Sequence, residues 1–309
     1  GNYKYHDFLI LTPQQDKYRK LLENVMDEYD IPIFTDLNKT MLNHPLVEFV
    51  LALFSVQQQN YSYRSVMRLL KTEIFVPKID EPNWTLGTFR NTLDLLENCI
   101  LQNGYFYESS WKDPEDWVVE TCGMKPNESP EEHQKRQANL PNNRFVNKVR
   151  REVYRQLSSF FKKINKVKTG REFAVELINF LEKIGVPQTL QGWQVSAAKD
   201  LENDPTRLSG SVSNVSRHEE VWNTLCSLLD EYVTALGAEP LDLEEFIALI
   251  QNGFDNAKYS QVPSTLDQVI FSESGVVQMQ NRRVLFVVGV TYAVMPRTFE
   301  NNALLSDID

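Results

Sequence analysis

Cysteine, histidine and glycine are scarce in this chain, at three, four and twelve residues of 309, and each scarcity excludes a class of protein. Cys99, Cys122 and Cys226 are odd in number and far apart, which suits reduced thiols and not a disulfide framework. None has a second Cys or His at the spacing of a zinc site. No apolar run approaches the roughly 20 residues of a membrane span, and the N-terminus has no charged-then-apolar leader pattern. The expected setting is therefore the cytoplasm, without membrane contact. The phosphate-cradling pattern Gly-x-x-x-x-Gly-Lys-Ser/Thr does not occur. Nor do the histidines suggest a catalyst: His44 beside Pro45 reads as a helix-entry residue, while His6, His133 and His218 lie in polar stretches without evident partners. Glu108, Asp113, Glu115 and Asp116 fall in a stretch that reads as a flexible surface excursion, which lacks the fixed geometry of a metal site.

What is present is an ordinary globular composition, 42% hydrophobic and 24% charged, in a chain long enough for two lobes. The net charge of −10 argues by itself against a nucleic-acid binder. The charge is segregated, however. From Arg144 to Arg171 there are ten basic residues against the single acidic Glu152, leaving 22 basic and 41 acidic residues elsewhere. Arg144, Lys148, Arg151 and Arg155 recur at intervals of three or four and would share one face of a helix, a row that can neutralise phosphates without reading bases. Lys162 and Lys163 extend it.

Along the chain, the run Asp7–Thr12 ending at Pro13 reads as a buried parallel strand. A helix is expected over 14–29, with Tyr18, Leu21, Leu22, Val25 and Met26 at helical spacing, and Ile31–Phe34 resumes extended structure because Pro32 disfavours helix before it. From about Lys39 to Ala257 the periodicity is helical. Pro45–Phe54 opens with proline at a first helical position and is apolar enough to be buried. Further helices are expected over 63–71, 86–103, 145–168, 171–184, 219–235 and 241–251, the last with Asp242 and Glu245 as a capping pair. Residues 108–141, with four prolines, read as a long surface excursion with little regular structure, and Ser209–Ser211 as a loop. Ser264–Ile270 and Arg283–Val290 return to strand character, the second too apolar for an open sheet edge. A helical domain inserted into an α/β domain accounts for this order with one core per lobe.

The segments Ile31-Pro32-Ile33-Phe34-Thr35-Asp36, His44-Pro45-Leu46-Val47-Glu48-Phe49 and Leu70-Lys71-Thr72 resemble, in order, the IPxFxD, HPLxEF and KT pattern of the AddB/RexB family. These are the B subunits of bacterial AddAB/RexAB helicase–nucleases, related to UvrD-type superfamily 1 helicases. Lys168–Phe173, Phe180–Glu182, Gly185–Pro187, Pro263–Val269, Val287–Gly289 and Met295–Arg297 continue the likeness over nearly the whole chain. The resemblance implies a partial RecA-like parallel-sheet domain, in two halves at 1–38 and 262–309, split by a mainly helical 2B-type insertion at 39–261. It also implies a central stretch of a longer protein.

Where active relatives carry His-x-x-Lys-Gly-Leu-Glu-Phe, this chain has Asp267 to Gly275, without the lysine or the Gly-Leu-Glu-Phe run. Val288-Gly289-Val290-Thr291-Tyr292-Ala293 looks like the helicase motif VGVTRA, but Tyr292 stands where its arginine would be and offers no cationic fork to a phosphate; the apolar run before it and Pro296 after it resemble instead the core strand upstream of that motif. The chain by itself is thus expected to be inactive and without cofactor. The resemblance assigns ATP, Mg2+ and an iron–sulfur cluster to the parent complex outside this region, and regulatory Chi recognition to a part of AddB/RexB not matched here. It implies a heterodimer with the A subunit (AddA/RexA) that processes double-strand DNA ends for recombinational repair. The expected role is to guide double-stranded and unwound DNA, with Arg144, Lys148, Arg151, Arg155, Lys162 and Lys163 as DNA contacts, and to dock the A subunit. The alternatives are a pure protein-interaction scaffold without DNA contact and a part of an active ATP-driven translocase.

Overall fold

The computed structural model describes residues 3–35, 40–203, 208–259, 267–273, 282–292 and 294, with residues 16, 200–203 and 208–215 described by their backbone only. Asp36, Pro263–Leu266 and Met295–Arg297 of the family-like segments lie outside the residues whose full placement is described. The chain divides into two compact units, one of Gly1–Lys39, Gln194–Arg217 and Tyr259–Asp309, the other of Thr40–Trp193 and His218–Lys258.

The first unit contains β1 (Phe8–Thr12), α1 (Gln15–Glu28), β2 (Ile33–Thr35), β3 (Val269–Glu273) and β4 (Val284–Val287). The four strands form one parallel sheet in the order β2-β3-β1-β4. Strand β1, from the beginning of the chain, is thus flanked by two strands from its last fifth. Its register sets Ile10 against Phe271 on one side and Phe286 on the other. Because side chains alternate across a strand, Ile10, Ile33, Val269 and Phe271 share one face, against which Tyr18, Leu22 and Met26 of α1 pack. Leu9, Leu11 and Ile270 form the opposite core. Burial on both faces is why β1 reads as a nearly unbroken apolar run.

Two expectations for this sheet need correction. The strand foreseen over 264–270 is described only from Val269 and runs on to Glu273. Strand β4, apolar as it is, lies at the edge of the four described strands, with Leu285, Phe286 and Val287 46–51% exposed. Its backbone pairs with β1 alone, and no other described strand pairs along its far side. Beyond it, Gly289 adopts φ +74°, and a Cβ there would sit 2.6 Å from the Tyr18 ring. Only glycine tolerates both the left-handed backbone and that approach.

The helices of the remaining chain are α2 (Pro45–Gln58), α3 (Tyr63–Leu70), α4 (Leu86–Asn103), α5 (Glu108–Lys112), α6 (Pro130–Ala138), α7 (Pro141–Ile164), α8 (Gly170–Lys183), α9 (Val186–Asn203), α10 (Leu208–Leu236) and α11 (Leu243–Asn256). Side-chain caps start several of them, at Ser62, Thr85, Ser129, Thr169 and Asp242. The apolar α2 is the centre of the second unit: Leu46, Val47, Phe49, Val50, Leu53 and Phe54 are fully buried, and Phe54 meets Phe173 of α8 and Phe246 of α11. Each such side chain contributes roughly 2–3 kcal/mol of burial. Helix α9 has no counterpart in the sequence reading, since Pro187 near its start is as compatible with a first helical turn as with a break. Ser209–Ser211, read as a loop, lie within α10.

The stretch 108–141 is more ordered than its prolines suggest. It contains α5 and α6, and the polar residues of α7 hold the segment between them. Asn143 Oδ1 accepts from the backbone N–H groups of Val119 and Glu120, each at 2.8 Å. Asn147 donates to Trp117 O (2.8 Å) and accepts from its N–H (2.9 Å). Arg150, fully buried, donates to the carbonyls of Ser110, Trp111, Asp113 and Glu115 at 2.7–3.3 Å, with its guanidinium 4.8 Å from the Trp117 ring centroid. Composition correctly reports polarity here, but order comes from side chains about 30 residues away in sequence.

Candidate nucleic-acid interface

Helix α7 carries the basic row. Its apolar stripe, Val146, Val149, Val153, Leu157, Phe160 and Ile164, is buried, so the helix is fixed in rotation and its opposite face is turned to solvent. Arg144, Lys148, Arg151 and Arg155 have side chains 39–65% exposed, as their spacing predicts. Arg150, counted with the basic segment, points the other way into the protein, where its role is structural.

The exposed cations are not bare. Glu81, in the loop before α4, accepts from Arg144 Nη2 at 3.1 Å and from Lys148 Nζ at 2.5 Å. These contacts, Lys148 first, hold its carboxyl below the usual carboxylate range. Arg151 Nη2 reaches Asp116 Oδ1 at 2.5 Å and Pro114 O at 3.1 Å. Arg155 makes a two-pronged contact with Glu152, one turn back on α7, at 2.6 and 2.8 Å. Lys163 pairs with Glu176 of α8 at 2.7 Å, and Lys162 makes no ion pair among the described residues. Six candidate cations therefore face four carboxylates, and the row is net +2 rather than +6. Sequence spacing located the cations and missed their partners, because Glu81 and Asp116 are 35 or more residues away from the groups they meet.

His44 enters α2 as expected, whereas His6, His133 and His218, read as lacking partners, each have one. His6 Nδ1 is 2.9 Å from Asp267 Oδ1, and His133 Nδ1 is 3.3 Å from Glu128 Oε2. His44 caps α2, its Nδ1 accepting from Leu46 N–H at 3.0 Å, while its Nε2 lies 2.9 Å from His218 Nδ1. That arrangement makes Nε2 the protonated nitrogen of neutral His44. Among the described residues no group of three or more His, Cys, Asp or Glu side chains could hold a metal ion. No helix is long and apolar enough to cross a membrane among the same residues. Tyr292 is 99% exposed.

The whole chain aligns with curated proteins named as the B subunit of an ATP-dependent helicase/deoxyribonuclease. It is 41% identical to the one from Lactiplantibacillus plantarum, 38% to that of Latilactobacillus sakei and 32% to that of Listeria innocua. The chain belongs to the AddB/RexB family. It spans about a quarter of the length of these AddB/RexB relatives, 24–25% in each case. No protein-family model matches it. Three of the AddB/RexB-like segments fall on described elements: Ile31–Thr35 of IPxFxD leads into and includes β2, HPLxEF begins with the His44 cap of α2, and Val287-Val288-Gly289 closes β4.

Proposed function

We propose that this region of AddB/RexB is a non-catalytic, helicase-like module that guides DNA along the exposed face of α7 and docks the A subunit. On this reading the parallel sheet is a RecA-like domain divided by the helical unit, which is its 2B-type insertion, and the parent complex processes double-strand DNA ends. The observation that carries the DNA assignment is the alignment of Arg144, Lys148, Arg151 and Arg155 on one solvent-facing stripe of a rotationally fixed helix. Their ion pairs do not consume them. The Arg151–Asp116 and Arg155–Glu152 pairs are exposed, and such pairs are worth about 0–1 kcal/mol each, so a phosphate oxygen can replace their carboxylates at little cost, releasing counterions from the DNA. Such contacts position a duplex or a fork and carry no sequence preference.

Fluorescence anisotropy with duplex and forked oligonucleotides tests the proposal. Binding should weaken steeply with salt and should be lost in the Arg151→Glu, Arg155→Glu double variant. No binding by the unaltered chain at low salt would reject it. A second reading, a protein-interaction scaffold that never meets DNA, is favoured by the reduced charge of the α7 row and by the exposed apolar side chains of β4. Co-purification with the A subunit combined with DNA crosslinking separates the two. The translocase reading finds no support in Tyr292, which cannot take the place of an arginine toward a phosphate.

A further inference from the structure

Beside the basic row lies an open cleft of about 370 Å³, which no family-like segment accounts for and which is lined in part by two aromatic side chains, Trp84 and Trp193, together with Val76 and Pro77. Two of the other tryptophans, Trp111 and Trp117, are buried in the core, whereas these two are only half-buried. The indole of Trp84 is held rigidly. Its Nε1 donates to Pro77 O at 2.8 Å, and its ring stacks on Phe145 of α7, 5.6 Å between centroids and 27° from parallel. Arg144 places its guanidinium carbon 5.8 Å from the centroid of that same Phe145, so the cleft and the cationic stripe share a wall.

The polar groups lining the cleft are mostly engaged. Glu73 is held by Arg90 at 2.7 Å, Thr85 caps α4, and Thr189 donates back to Gly185 O at 3.2 Å. Lys78 lines the cleft, is exposed and makes no ion pair among the described residues. Trp193 is braced edge-on by His218, 5.4 Å between centroids. A site lined by two indoles, with an available cation and few unsatisfied donors or acceptors, selects a flat ring attached to a negative charge, with little discrimination among rings.

From this juxtaposition we infer that the cleft takes an unstacked base of single-stranded DNA between Trp84 and Trp193, with Lys78 and the neighbouring Arg144 and Lys148 on its phosphates. The inference rests on the DNA-guiding reading and deepens it: α7 meets the backbone, and the cleft captures a base once the strands have parted. Aromatic stacking tolerates any base because every base has a π face, whereas the bases of a duplex are already stacked on one another and cannot enter. A proline-rich peptide, the other ligand that favours paired tryptophans, is disfavoured because the Trp84 N–H that would recognise its carbonyls is already bonded to Pro77.

The test compares a labelled twelve-residue oligo(dT) with an abasic phosphodiester strand of equal length and charge, using anisotropy and intrinsic tryptophan quenching on the full chain. Oligo(dT) should quench the fluorescence and bind about tenfold more tightly than the abasic strand, as expected for one stacked base. Trp193→Ala should remove the difference and Trp193→Tyr should keep most of it, with circular dichroism confirming that both variants fold. Equal affinity of the unaltered chain for the two strands would overturn the base site and leave phosphate guidance by α7 standing. Absence of binding to either strand at low salt would overturn both. Quenching by a proline-rich peptide and not by oligo(dT) would reassign the cleft to a protein partner.

Discussion

Arg150 shows what a single position decides in this protein. It sits in the middle of the basic segment and is the one described guanidinium there that is fully buried, bonded to four backbone carbonyls and to no carboxylate. Burial pushes its pKa down, yet a guanidinium remains charged at any accessible pH. Removing it leaves several buried carbonyls unpaired, so Arg150→Ala should cost on the order of 3–5 kcal/mol in urea unfolding. Arg151→Ala, one residue along and half-exposed, should cost under about 1 kcal/mol. Similar losses for the two would contradict the assigned roles. Glu128 is the counterpart among the acids. Its contact with Arg136, then the Lys125 N–H, then His133 hold its carboxyl down from 4.5 to about 2. Since the folded value is the lower one, this contribution to stability is complete above about pH 4.5 and is lost as pH falls toward 2. Protection of the 123–138 backbone against hydrogen exchange, taken relative to the intrinsic rate at each pH, should fall across that window, and Glu128→Gln should show reduced protection already at neutral pH.

At the scale of the element, α7 does three things with three faces. The apolar stripe anchors it, Asn143, Asn147 and Arg150 organise the polar stretch before it, and the remaining cations face solvent under a partial cover of carboxylates. Glu81 occupies both Arg144 and Lys148. If α7 guides DNA, Glu81→Gln should tighten binding several-fold at low salt and steepen the salt dependence of log K by about one unit, as about one more phosphate is neutralised. Glu245→Gln, an exposed substitution on α11 with the same change in charge, should do neither. Helix periodicity was legible for α1, α3, α4, α7, α8 and α11 because each has one apolar stripe of clear spacing, and α2 was legible from its leading proline and its nearly continuous apolar run. The first turns of α10 and all of α9 were not, since serine, glycine and proline favour turns locally and become helical only in the context of their neighbours.

At the scale of the whole molecule, this chain of the AddB/RexB family contains no Gly-x-x-x-x-Gly-Lys-Ser/Thr pattern, and position 292 is tyrosine, not arginine. Incubated alone with ATP and DNA, it should release no phosphate above background in a coupled assay, and measurable turnover would reject the non-catalytic reading. Local pattern alone determined that strands near the two ends of the sequence flank a helical middle, and that a run of basic residues falls on one helix, α7. It could do so because apolar periodicity, proline position and charge are recorded at every residue. Pairing across the chain was decided only in three dimensions: β1 between β3 and β4, Glu81 over Arg144 and Lys148, Arg150 beneath the 110–115 carbonyls, and Trp84 and Trp193 around one cleft. Such contacts join residues tens to hundreds of positions apart, and their energies depend on distance in space, which no short window of sequence contains.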